Sequence, residues 1–162
     1  ACYQLSDPGN LGNIMRTSYS LGCHGMFIFD QDTVNPYNEK CTRASRGVNF
    51  LMPVTCGNWK MLGQMLEDYN LACIITSTSD KNSIQLDRLF DSDSSERRNL
   101  KRFDGYVVVL GSEHHGVTDK VIEDINPVRV INVHIAMAHG FDSLNVSVAG
   151  SIILYTLKNT LL

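Results

Sequence analysis

The sequence predicts an α/β domain whose mainly parallel sheet is flanked by helices, and three observations lead there. Short β-rich runs alternate with stretches of helical periodicity. At 162 residues and 43% hydrophobic, the chain holds enough apolar surface for one ordinary core and has the length of a single domain. Three segments also combine glycine with polar residues just where a strand would end, which is where open parallel sheets place ligands.

Residues 1–5 open the chain as the first strand-like run, and a Pro8-Gly9-Asn10 turn follows. Leu11, Ile14, Met15, Ser18 and Tyr19 then recur at helical spacing, with Gly22 placed as the stop. Met26–Phe29 reads as a strand, and Trp59, Leu62, Met65, Leu66 and Tyr69 as the apolar stripe of a second helix. Leu71–Ile75 and Tyr106–Leu110 are further strands. Between them residues 91–104 carry four acids and four bases, the composition of a solvated loop. Val117–Ile125 is a short helix after a glycine, residues 128–133 form a strand, and Asn145–Leu161 is the longest helix. Its apolar positions Val148, Ile152, Leu154, Tyr155 and Leu161 run nearly all round, which predicts deep burial or a shared surface.

A net charge of −3 excludes the global basic field of a general nucleic-acid binder, so any RNA contact must be local. The five cysteines are scattered and contain no Cys-x-x-Cys pair, which suggests neither a disulfide framework nor zinc. They read as a reducing, intracellular compartment, the cytoplasm foremost, with nucleus or organelle open. No stretch reaches the roughly 18 apolar residues of a membrane span, so no membrane partner is expected. The chain opens Ala1-Cys2-Tyr3 without a methionine, almost directly in a strand, which predicts that residues 1–162 are one domain trimmed from a longer polypeptide.

The first chemical segment is Asp7-Pro8-Gly9-Asn10-Leu11-Gly12-Asn13-Ile14-Met15-Arg16, in which glycine and asparagine permit a sharp entry into a helix. Asn10 and Arg16 lie under two helical turns apart, so Arg16 projects near that turn; a solvated arginine on a polar helix face is the competing reading. The second is Val109-Leu110-Gly111-Ser112-Glu113-His114-His115-Gly116. It has neither Gly-x-Gly-x-x-Gly nor Gly-Lys-Ser/Thr, and Glu113 would repel a phosphate, so a sugar hydroxyl or a cation fits better. Adjacent His114 and His115 point apart with no partner at ligand spacing, and no metal is expected. The third, Ile135-Ala136-Met137-Ala138-His139-Gly140-Phe141-Asp142-Ser143-Leu144-Asn145-Val146-Ser147, runs into the long helix, where Ser143 or Asn145 can serve as a helix cap, a ligand contact, or both.

In this order the three segments resemble the signature motifs of the SpoU-type (TrmH-like) RNA ribose 2′-O-methyltransferases, members of the SPOUT superfamily, and the resemblance spans essentially the whole chain. Asn10-x5-Arg16 is similar to the first motif, Leu110-Gly111-Ser112-Glu113-x-x-Gly116 to the second, and Ser143-Leu144-Asn145-Val146-Ser147 to the third. Ala44-Ser45-Arg46-Gly47-Val48 looks like the family's small-residue turn. Ala136 stands where a proline is common, and Gly140-Phe141-Asp142 is an unusual lead-in. The resemblance implies a C-terminal deep trefoil knot, which ordinary connection rules treat as an exception. It also implies S-adenosyl-L-methionine bent in that knot against Gly111, Gly116, Ile135, Met137, Leu144 and the strand end near Ile75. A homodimer through the first and last helices is implied as well.

Carried over residue by residue, Arg16 takes the catalytic position and Asn10, Glu113, Ser143 and Asn145 the surrounding active-site shell. The implied reaction moves the sulfonium methyl to a ribose 2′-oxygen of tRNA or rRNA in line, with alignment and proton removal as the enzyme's tasks. Arginine almost never gives up its proton, so Arg16 acts either as a base helped by a nearby group or as a fixed cation on phosphate and developing alkoxide. Lys40, Arg43 and Arg46 recur at intervals of three, which on a helix makes one basic ridge for RNA, or merely a solvated face. Two rival functions stay open: a catalytically inactive knotted RNA-binding scaffold and a small nucleotide-binding enzyme.

Overall fold

The computed structural model describes residues 1–30, 33–77, 83–91, 94–111, 125–138 and 143–161. Its helices are α1 (Pro8–Ser20), α2 (Glu39–Ser45), α3 (Trp59–Asp68), α4 (Ser95–Leu100) and α5 (Val146–Leu161). Its strands are β1 (Met26–Phe29), β2 (Val54–Gly57), β3 (Leu71–Thr76), β4 (Ile84–Gln85), β5 (Gly105–Val109) and β6 (Val130–His134). Each strand pairing is parallel, in the orders β1-β2 and β4-β6-β3-β5. Cys2 joins the two sheets by bridging Ile28 on one side and Leu110 on the other.

β3 lies between β5 and β6, and its sequence Leu-Ala-Cys-Ile-Ile-Thr is buried from Ala72 to Ile75. Both faces of a central parallel strand are covered, so the run is apolar throughout rather than alternating. Cys73 and Ile75 face α3 through Leu62 and Leu66, with Phe29 and Trp59 in the same layer. Ala72 and Ile74 face the other way, onto Leu100 of α4 and Ile153 and Leu157 of α5. A third layer packs Leu11, Ile14 and Met15 of α1 on Cys41 of α2, with Val146 of α5 and Leu110. Each Leu, Ile, Val, Phe or Met among them is worth roughly 1.5–3 kcal/mol of burial before entropy is charged against it.

Two glycines set the closest approaches. A Cβ on Gly12 would lie 2.5 Å from the Cys41 carbonyl oxygen and 2.7 Å from the Ala44 Cβ, so α1 and α2 cross there backbone to backbone. A Cβ on Gly150 would meet a Leu110 methyl at 2.7 Å, which seats α5 against the end of β5.

Several expectations are corrected. The run 1–5 pairs only at Cys2, because Gln4 turns left-handed at φ 53° and leaves the sheet. Pro8-Gly9-Asn10 is the first turn of α1 rather than a turn before it; Asp7 caps the helix and Pro8 enters where its missing N–H costs nothing. Within 91–104, residues Ser95–Leu100 are helical, because the Ser94 hydroxyl caps the Arg97 N–H and fully buried Leu100 anchors the turn. A short 3-10 turn at Pro127–Arg129 moves the last strand to Val130–His134. Of the helix expected at Val117–Ile125, residues 117–124 lie outside the described residues, and Ile125 is buried in the α3 layer.

Candidate active site

The site begins at the first turn of α1. The Asp7 side chain accepts the Gly9 N–H at 2.8 Å and the Lys40 ammonium at 3.0 Å. These two donors hold its carboxyl below the ordinary carboxylate range. The first turn of α2 is thereby tied to the start of α1, and Asn10, half-buried, sits one residue beyond that anchor.

From the other end of the chain, Asn145 meets it. The Asn145 amide Nδ2 donates to Asn10 Oδ1 at 3.1 Å across 135 residues of sequence. Its Oδ1 accepts the Ser147 N–H at 3.0 Å and the Ser147 hydroxyl at 2.7 Å, so one side chain both caps α5 and reaches α1. Two turns along, the Ser151 hydroxyl donates to Thr17 Oγ1 at 3.4 Å, and the two helices run side by side in the same direction. Their N-terminal ends, each carrying partial positive charge, therefore open at one place.

Beside that place lie the carboxyl ends of the central strands. Ile75 pairs with Val109 of β5 on one side and Asn132 of β6 on the other. Gly111 and Ile135, both half-buried, follow the ends of β5 and β6, Met137 is exposed at 36%, and Leu144 is half-buried before α5. The Ile75 side chain itself belongs to the core under α3, so only its backbone is available to a ligand. Sequence reasoning missed Ser77 just beyond it. Its hydroxyl is buried without a hydrogen-bond partner among the described residues. Such a group costs about 1–3 kcal/mol unless something polar reaches it. A run of hydroxyl residues directly after an apolar strand was the available signal.

Arg16 stands exposed on α1. Six residues of helix carry it about 9 Å along the axis and roughly 120° around from Asn10, so within one chain it does not converge with the asparagine pair. Among the described residues no carboxylate lies at ion-pair distance from it. Ser143 is exposed ahead of Asn145, while Glu113 and Gly116 lie outside the described residues. The expected basic ridge is broken up: Lys40 pairs with Asp7 and Arg43 with Glu39 at 3.3 Å. Arg46 has left the helix for a left-handed cap at φ 54°. Among the described residues no three His, Cys, Asp or Glu side chains come together as a metal site, and no helix is long and apolar enough to cross a membrane.

Parallel sheets among the described residues, with the aligned starts of the first and last helices beside their strand ends, define the α/β class of protein that binds small ligands at the carboxyl ends of its strands. The chain belongs to the SpoU rRNA Methylase family, whose model matches residues 1–155. It is 30% identical over 91% of its length to the 23S rRNA (adenosine(1067)-2′-O)-methyltransferase of Streptomyces azureus, covering 49% of that protein. It is 29% identical over 94% of its length to an uncharacterized tRNA/rRNA methyltransferase of Synechocystis, covering 49% of it. The chain thus spans about half the length of the curated relatives it matches. A solved RNA 2′-O ribose methyltransferase superposes with a TM-score of 0.72 at 25% identity, over 99% of this chain and 55% of that one. The SpoU methyltransferase AviRb from Streptomyces viridochromogenes, solved with AdoMet, shares the fold with a TM-score of 0.75 at 22% identity, over 98% and 58%.

Proposed function

We propose that this chain is the catalytic domain of a longer enzyme that transfers a methyl group from S-adenosyl-L-methionine to a ribose 2′-hydroxyl in tRNA or rRNA. The observation that carries the reading is the Asn10–Asn145 hydrogen bond, because it unites the first and third motifs beside the strand ends, where Leu110 and Gly111 of the second motif follow β5. Family membership and relatives named as RNA 2′-O-methyltransferases support it.

The residues fit the donor on one observation of this structure: the Ser77 hydroxyl, just past the end of β3, is buried without a partner among the described residues and would gain one from a polar group bound at the strand ends. Gly111, Ile135, Met137 and Leu144 supply a neutral, largely apolar lining suited to a nucleoside, with Gly116 completing the second motif. When bound, the donor supplies an electrophilic methyl group on a sulfonium. Asn10 and Asn145, fixed to each other, position the incoming ribose, and Ser143 and Glu113 complete the shell. Arg16, exposed and with no carboxylate at ion-pair distance among the described residues, holds an RNA phosphate and stabilises charge developing on the ribose oxygen.

We further infer a homodimer and the trefoil knot. Val148, Ile152 and Tyr155 of α5 form an exposed stripe at helical spacing, and exposed Tyr19 of α1 lies one turn after Arg16. Pairing through this face covers the stripe and brings Arg16 to the partner's site. Five free thiols agree with an intracellular, reducing location. Calorimetry with S-adenosylmethionine and S-adenosylhomocysteine tests the reading: each should bind at one equivalent per chain, and binding of neither would overturn it.

A further inference from the structure

Tyr37 and Phe50 form an exposed aromatic pair beside α2 that neither the fold nor the methyl-transfer site uses. Their ring centroids lie 5.7 Å apart at 40°, and the residues are 52% and 67% exposed. Neither ring is buried in any of the three core layers.

The pair is nevertheless held rigidly. Asn49, next to Phe50 and 1% exposed, donates from Nδ2 to the Pro36 carbonyl at 3.1 Å and to Thr42 Oγ1 at 2.9 Å. Its Oδ1 accepts the Ser45 hydroxyl at 3.1 Å. The residues adjoining both rings are thus fastened to each other and to α2 by one buried amide. That fastening fixes the backbone on which both rings stand and so lowers the ordering cost of binding, and pre-organised aromatic surface is what a stacking contact needs. The rings sit too close to admit a base between them, so stacking takes place on an outer face.

Charge selects the occupant. Arg46, exposed in its left-handed cap, has no carboxylate at ion-pair distance among the described residues. The nearest acids of this helix and its anchor, Glu39 and Asp7, are already neutralised by Arg43 and Lys40. Arg46 lies four residues before Phe50 in the chain, and a cation without a carboxylate partner among the described residues, that close in sequence to exposed rings, matches a nucleotide, which offers a π face and a phosphate together. The Lys40–Asp7 pair ties the start of α2, three residues past Tyr37, to the first turn of α1 that holds Asn10.

We propose that Tyr37 and Phe50 are a stacking platform for an unpaired base of the RNA substrate, with Arg46 on the adjoining phosphate, placing a flanking nucleotide while the target ribose lies at Asn10 and Asn145. The proposal rests on the RNA-modifying reading and adds a position where single-stranded RNA is gripped without sequence readout.

The test measures anisotropy of a labelled, mixed-sequence single-stranded RNA of about 20 nucleotides, and of its duplex, over a salt series. Tyr37→Ala with Phe50→Ala weakens single-strand binding by roughly 5- to 100-fold at every salt concentration, because neutral rings release no counterions. Arg46→Ala instead flattens the salt slope. Phe50→Leu, which keeps apolar area but loses the π face, binds weakly, whereas Phe50→Trp binds as tightly as wild type. Melting curves check that each variant remains folded. Equal binding by wild type and the double alanine variant overturns the platform, as does full affinity in Phe50→Leu or no single-strand binding by wild type. Sedimentation showing that the double variant loses a dimer also overturns it, since the rings would then face a second copy. A wild-type protein that grips RNA through these rings yet transfers no methyl group refutes the catalytic reading and leaves the platform standing.

Discussion

Replacing Asn145 separates its two jobs. Asn145→Ala removes both the cap on α5 and the bond to Asn10. A lost cap costs about 1 kcal/mol, and an exposed amide–amide bond adds about 0.5–1 kcal/mol. For a chain of this length each kcal/mol lowers the melting temperature by roughly 2–4 °C, so the variant should melt about 3–8 °C below wild type. Asn145→Ser keeps a capping oxygen but is too short to reach Asn10, and should melt within about 4 °C of wild type. If Asn145 positions the ribose, both variants lose turnover by about 100-fold, the scale of a small misplacement at a reacting centre. Melting by circular dichroism and single-turnover methyl transfer provide the two readouts. Near-normal turnover in Asn145→Ser would show that the residue only caps α5 and would refute the reasoning.

Gly12→Ala should destabilise the chain by about 1–3 kcal/mol despite the better helix propensity of alanine, because the added carbon meets backbone of α2; an unchanged melting temperature would contradict so rigid a crossing. Arg16→Ala should abolish turnover while calorimetry still registers donor binding; parallel loss of both would assign Arg16 a structural role. Neutralising Lys40, Arg43 and Arg46 together should lower RNA affinity and its salt slope, with Arg46→Ala alone accounting for most of the change, since the other two already have carboxylate partners. Maleimide at pH 8 should label exposed Cys56 first, because burial pushes the Cys2 and Cys73 thiols up to about 11 and about 12; early labelling of either buried thiol, read by mass spectrometry, would mean that the sheet opens readily.

The sequence made the layers legible wherever periodicity was strong. Met26–Phe29 and Leu71–Ile75 announced themselves as short apolar runs buried on both faces, and α1 and α3 as single apolar stripes, while α5 stood out by length and apolar content. It misled where one residue outweighs composition, as Leu100 does in the charged stretch 91–104. α2, β2 and β4 are too short to carry a period, and β2 lies at a sheet edge with two exposed side chains. Of the site, Asn10, Asn145, Ser143 and Arg16 were named from motifs, yet their spatial relation was not. Six residues of helix separate Arg16 from Asn10 around the axis, whereas Asn145 reaches Asn10 from 135 residues away. The glycines illustrate the same gap, since Gly12 reads locally as a flexible turn and acts as a point of helix contact. The Tyr37–Phe50 pair became visible only through exposure, and burial singled Ser77 out of the run of hydroxyl residues that follows β3.

The central claim is tested most directly by incubating the protein with methyl-labelled S-adenosylmethionine and total RNA, then digesting to nucleosides. The account predicts label in 2′-O-methylated ribose, lost in Arg16→Ala and reduced in Asn145→Ser. Label on a base, or none in any RNA fraction from a protein that binds the donor, would contradict it.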